Sequence, residues 1–210
     1  MSMARRERQE LVAAMRAAGP DAPTLCGSWT VRALAAHLIV RERRPDAAPG
    51  ILLRPFAGRL ESVQAKTAAK PFDELLELVR TGPPWWSPLK PVDAVANLSE
   101  MFVHHEDVRR AEPGWQPRTL DPSDEDRLWK VLARMGRMAY RKSPVPLTLA
   151  TPDGRSVSVI SGDGGDGAGV TLTGAPSELL LHAFGREQVR IETAGPQDAV
   201  RAVLDLDRSL

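Results

Sequence analysis

The chain has one cysteine among 210 residues, Cys26, so no disulfide can form within it. A reduced, cytoplasmic setting is the expectation. Net charge is nearly absent: 28 Lys and Arg stand against 27 Asp and Glu. Without a basic surplus there is no electrostatic footprint for a polyphosphate chain, and nucleic acid is not an expected partner. Long apolar runs are missing too, and a bilayer span needs roughly 20 such residues. No membrane association is therefore expected. Met1-Ser2-Met3-Ala4 leads straight into Arg5-Arg6-Glu7-Arg8, with no apolar core behind it and hence no expected secretory signal. What is present is an ordinary globular balance, 42% hydrophobic and 26% charged, enough to bury a core without staples.

Up to about residue 142 the chain reads as helices. Leu11, Val12, Met15 and Ala18 recur at helical spacing in a first helix, about Ala4 to Ala18, which Gly19-Pro20 stops. Thr30 is a good N-cap for a second, Val31 to about Arg44. Within 46–70 only Leu60 to Ala69 has helical character. Phe72 to Arg80 forms a short helix, followed by an aromatic, proline-rich loop, Trp85 to Lys90. A longer helix spans Pro91 to about Ala111, and a fifth begins near Ser123 with Leu128, Val131, Leu132, Met135 and Met138 as its buried stripe. After Ser143-Pro144 the period falls to two. Val145, Leu147 and Leu149, then Val157 and Val159, flank a hairpin turn at Pro152-Asp153-Gly154. A strand at Val170 to Thr173, a helix at Pro176 to Phe184, a strand at Val189 to Glu192 and a helix at Gln197 to Leu206 complete the reading. The expected organisation is mainly α: a helical domain at 1–142 and a small α+β domain at 143–210.

The chemistry concentrates on the Pro91–Ala111 helix. With Glu100 at zero and 100° per residue, His104 falls at about 40°, Asp107 at about −20° and Asn97 at about 60°. Glu100, His104 and Asp107 thus share one stripe. Apolar neighbours border it on both sides: Ala96, Val103 and Val92 on one, Met101 and Val108 on the other. A carboxylate pointed inward is costly unless it meets a cation. Glu and His at i, i+4 can supply two of the three protein ligands of an open zinc-type site. His37, mid-helix beside Leu34 and Val40, is the best third ligand. His105 lies about 140° from Glu100 and cannot share its focus. Asp107 would orient a ligand or a basic side chain. On spacing alone, an ordinary hydrogen-bonded Glu100–His104 pair is the simpler reading. His105 and Glu106, with Arg109 and Arg110, read as a solvated edge, His182 as a helix-dipole residue and Cys26 as a small buried apolar one. The loop Gly162 to Gly169 reads as a flexible turn. Trp85, Trp86 and Arg109 are candidates for lining a pocket.

The stretch Thr24-Leu25-Cys26-Gly27-Ser28-Trp29-Thr30-Val31-Arg32-Ala33-Leu34-Ala35-Ala36-His37-Leu38 resembles the second-helix signature of DinB-like, mycothiol-dependent maleylpyruvate isomerase N-terminal domains. Glu100-Met101-Phe102-Val103-His104-His105-Glu106-Asp107 resembles their E-x-x-x-H-x-x-D segment, and the likeness is nearest to a group of actinobacterial metal-binding proteins. Val170 to Leu180, followed by Gly185-Arg186, resembles the sterol-carrier-like domain often attached to such bundles. The resemblance implies an up-down four-helix bundle and a divalent metal held by His37, Glu100 and His104. The implied metal is usually zinc, with nickel, iron or manganese as alternatives. It also implies mycothiol as a thiol co-substrate. No substrate-binding arginine is matched in the short tail. The expected activity is a thiol transferase or isomerase acting on a small molecule. A metal-assisted hydrolase and a non-enzymatic, metal-stabilised binding protein are the alternatives. Beyond the substrate, a second copy of the chain, forming a homodimer, is a further possible partner.

Overall fold

Ser2 opens the first helix, accepting from the Arg5 backbone N–H at 3.4 Å, and Gly19 closes it with φ at 88°. This helix, α1, runs Met3–Ala18 in a computed structural model that describes residues 1–44, 57–84, 93–162 and 169–208. Four more helices follow in the first compact unit, Met1–Trp115: α2 (Val31–Arg43), α3 (Ala57–Ala68), α4 (Phe72–Thr81) and α5 (Asp93–Arg109). Thr30 caps α2 by accepting from the Ala33 N–H. The sequence start of α5, Pro91, lies outside the described residues.

The core of this unit is built from α1, α2, α4 and α5. Leu11, Val12 and Met15 meet Leu34, Leu38, Leu75, Leu76, Val79, Met101 and Val108. α1 packs along α5 and α4, while α2 packs on α3 and α4. One buried ion pair crosses this core: Arg8 of α1 grips the Glu42 carboxylate of α2 with both terminal nitrogens and donates to the Val79 carbonyl at 2.8 Å. Burying two charges is tolerable here because the pair is bidentate and the guanidinium has a further acceptor.

The second compact unit is Gln116–Leu210. It holds α6 (Pro122–Ala139), a four-stranded sheet, α7 (Pro176–Ala183) and α8 (Gln197–Leu204). The strands are β1 (Leu147–Ala150), β2 (Ser156–Ile160), β3 (Val170–Gly174) and β4 (Ile191–Ala194), in the order β2-β1-β3-β4. β1 pairs antiparallel with β2 and parallel with β3, and β3 pairs antiparallel with β4. Helical patterning gives way to strands near residue 142, whereas the packing boundary lies between Trp115 and Gln116, because α6 packs on α7 and β2. The described residues thus hold eight helices and one small sheet, mostly α with an α+β part toward the C-terminus. None of these helices is long and apolar enough to cross a membrane.

Three local expectations need correction. Met138 is exposed and Met135 only half-buried, while Gly136 and Ala139 are buried. The buried arc of α6 is rotated toward Gly136 because β2 packs there: a Cβ on Gly136 would lie 2.6 Å from Val159 Cγ1. The last strand is Ile191–Ala194, later than the Val189–Glu192 expected, because the register with β3 is set by Gly174 opposite Ile191. His105, Glu106 and Arg110 are buried rather than forming a solvated edge. α1 covers that face of α5, and Glu7 Oε2 lies 2.9 Å from His105 Nδ1.

Candidate metal centre

Two helices and one connector build the site. α5 carries Asn97, Glu100, His104 and Asp107 on one face, as helical spacing requires. α2 brings His37 and, one turn later, Arg41. The connector ahead of α2 is tied down at both ends. Leu25 N–H donates to the Asp107 carbonyl at 3.1 Å, and Val31 N–H donates to the Ala22 carbonyl at 2.9 Å. Thr24 Oγ1 donates to the Trp29 carbonyl and accepts from Cys26 N–H, which folds the connector into a tight loop. That loop sets Cys26 beside α5 and Trp29 against His37, ring centroids 4.9 Å apart.

His37, Glu100 and His104 each offer a ligand atom, and these atoms all lie within 4.8 Å of one another. The two imidazoles meet edge to face at 5.7 Å between centroids. His104 Nε2 lies 3.3 Å from Glu100 Oε2, yet the pair is not aligned as a hydrogen bond: Glu100 Oε2 is buried and has no hydrogen-bond partner. On the other side of the ring, His104 Nδ1 lies 2.9 Å from Asp107 Oδ2, and Asp107 is fully buried. A carboxylate accepting from Nδ1–H holds the ring so that Nε2 faces Glu100 and His37 and would give up its proton to a metal bound there. Gln64 of α3 contacts His37 Nδ1 at 3.1 Å through its amide, holding that ring in turn.

The electrostatics follow from this crowding. Burial lowers the His37 pKa to about 4, with the neighbouring His104 adding to the effect, so that ring is a neutral donor at physiological pH. Burial works against charge on His104 as well, but Asp107, Cys26 and the adjoining Glu100 carboxylate outweigh it and hold its pKa well above the usual value. Burial likewise opposes the Glu100 charge. The adjoining His104, Arg41 and His37 overcome it and hold the carboxyl well below the usual range. A neutral imidazole, a second imidazole locked by a carboxylate and an ionised carboxylate with an orphaned oxygen form a donor set that suits a zinc-type ion. These residues fit the metal that the sequence resemblance implies.

Several residues stand elsewhere than expected. Cys26 is not a buried apolar filler. Its half-exposed thiol donates to Asp107 Oδ2 at 3.0 Å and lies 3.7 Å from His104 Nδ1. A connector has no periodicity to reveal such a placement. His182 is not a charged helix-terminal residue. It is buried, its Nδ1 lies 2.7 Å from the Tyr140 hydroxyl, and burial lowers its pKa to about 3, with Arg208 contributing. Arg109 holds Glu106 with two hydrogen bonds, 2.8 and 2.9 Å. Trp85, Trp86 and most of the Gly162–Gly169 loop fall outside the described residues. Gln64 and Arg41 were not anticipated. Arg41 had a readable signal, its i+4 position after His37 on α2, whereas Gln64 lies in the stretch with the weakest patterning.

Among curated proteins and among solved structures, no match to the chain was found. Residues 2–80 match the family model of the mycothiol maleylpyruvate isomerase N-terminal domain, a stretch that includes His37 but ends before Glu100 and His104. Over residues 2–80 the chain is therefore similar to the mycothiol maleylpyruvate isomerase N-terminal domain family.

Proposed function

We propose that His37, Glu100 and His104 hold one divalent ion, zinc by preference, and that the protein is a thiol-dependent transferase or isomerase acting on a small molecule. The observation that carries this reading is Glu100 Oε2, buried without a hydrogen-bond partner beside His104 Nε2 and the His37 ring. A closed hydrogen-bonded pair would leave no such atom, and a bare buried acceptor is expensive. Three protein ligands leave a position for an exogenous group, in contrast to the four of a structural site. When bound there, the ion would lower the pKa of a thiol such as mycothiol and so supply a thiolate at neutral pH.

The protein's own residues have defined tasks in this scheme. Asp107 keeps the His104 ring oriented, Gln64 does the same for His37, and Trp29 walls the His37 side. The family of residues 2–80 supports mycothiol as the thiol. The arrangement of α1, α2, α4 and α5 around one core is compatible with a DinB-like up-down bundle, and we assign the C-terminal part to a sterol-carrier-like domain on the sequence resemblance.

The test is to load the chain with zinc and offer it mycothiol conjugates, and separately ester and amide substrates, with and without free thiol. Turnover that requires the thiol is expected. Equal hydrolysis without thiol would replace this reading with a metal-assisted hydrolase.

A further inference from the structure

Strand β4 ends the sheet of the second unit, so among the described residues no strand lies along its outer edge. Such an edge presents a row of main-chain N–H and C=O groups that another strand can take up. Solvent reaches it: Glu192, Thr193 and Ala194 are exposed and Ile191 is only half-buried. Edges are ordinarily guarded by a proline, a bulge or charges that repel an incoming strand. The run Val189-Arg190-Ile191-Glu192-Thr193 contains no proline, β4 pairs with β3 without a register shift, and its two charges are of opposite sign. Arg190, just ahead of β4, is held in line by its own N–H, which donates to Glu178 Oε2 at 2.7 Å.

The order of these residues is self-complementary. Laid antiparallel against a second copy about Ile191, the run sets Ile191 opposite its counterpart and Val189 opposite Thr193. Arg190 then faces Glu192 of the other copy, once on each side of the two-fold axis. Opposite charges directly across an antiparallel pair are favourable and like charges unfavourable. Centring the pair on Glu192 instead would set two carboxylates against each other, so the charges select the Ile191 register. We infer that β4 is the docking edge for a second copy of this chain, paired antiparallel about Ile191 with two Arg190–Glu192 ion pairs. The two four-stranded sheets then continue as one. A short edge pairing covers less than the roughly 1,600 Å² of a standard interface, so the dimer should dissociate on dilution. None of this depends on the metal reading.

The test is sedimentation velocity of the full chain over a concentration series. Wild type is expected to move from monomer toward dimer as concentration rises. Arg190→Glu leaves only acids on this edge and Glu192→Arg only bases. Each should stay monomeric where wild type is mostly dimer, with circular dichroism unchanged. An equimolar mixture of the two variants should dimerise again, because every Glu of one chain then faces an Arg of the other. The chain carrying both substitutions should recover the dimer for the same reason. Recovery in the mixture cannot come from chains that failed to fold. A wild-type chain that stays monomeric at every concentration would overturn the inference. So would single variants that dimerise as well as wild type, which would put the contact elsewhere, or a mixture that stays monomeric.

Discussion

Two histidines, one in each unit, the first largely enclosed and the second buried, have opposite character. His104 of α5 has Asp107 at Nδ1, Glu100 beside Nε2 and the Cys26 thiol within reach, and its affinity for a proton is raised. His182 of α7 has a neutral partner, the Tyr140 hydroxyl, with Arg208 nearby, and its pKa falls to about 3. Both rings have a partner at Nδ1. The difference lies in what surrounds Nε2. Among the described residues His182 Nε2 has no hydrogen-bond partner, whereas His104 Nε2 lies beside a carboxylate oxygen that itself lacks a hydrogen bond. Burial alone makes a structural histidine; convergence of several acceptors on one point makes a candidate for holding a cation.

The sharpest way to break this contrast is to remove one acceptor without changing shape. Glu100→Gln should abolish retention of zinc through gel filtration, with circular dichroism unchanged, whereas His182→Asn should leave zinc content at the wild-type level. Asp107→Asn acts one step back from the ion. It should weaken zinc affinity by about 10–100-fold, read by competition with a chromogenic chelator.

In the other unit, Tyr140→Phe leaves His182 Nδ1 buried without its partner. A cost of about 1–3 kcal/mol in urea unfolding is expected, with zinc affinity unmoved. The pH dependence separates the two histidines as well. The folded pKa of His182, about 3, lies below its ordinary value of 6.5, so between these values the unfolded chain binds a proton that the folded chain does not. Stability is therefore complete above about pH 6.5 and falls on acidification toward pH 3, with a slope from this group of about 1.4 kcal/mol per pH unit. Unfolding curves at several pH values measure that slope, and a substitution of His182 by Asn should remove this part of it.

Much of the fold was legible because its signals are local. Ser2 and Thr30 as caps, Gly19 as a stop and the period-two run through Leu147 and Leu149 each act within a few residues. The polar stripe of α5 was legible for the same reason, since Glu100, His104 and Asp107 fall on one face by helical geometry alone. What escaped depends on partners distant in sequence. His105 looked solvent-facing until α1 supplied Glu7, and Met138 looked buried until β2 settled on Gly136. Cys26 sits in a connector whose course is fixed by a hydrogen bond to the Asp107 carbonyl, 82 residues after Leu25. No periodicity in the connector could encode that.

The most direct measurement is elemental analysis of the purified chain beside its His37→Ala, His104→Ala and His105→Ala forms. About one divalent ion per chain is expected in wild type and in His105→Ala, the stoichiometry of a single three-ligand site, and none in the other two. Undiminished metal in both His37→Ala and His104→Ala, in folded protein, would contradict the site.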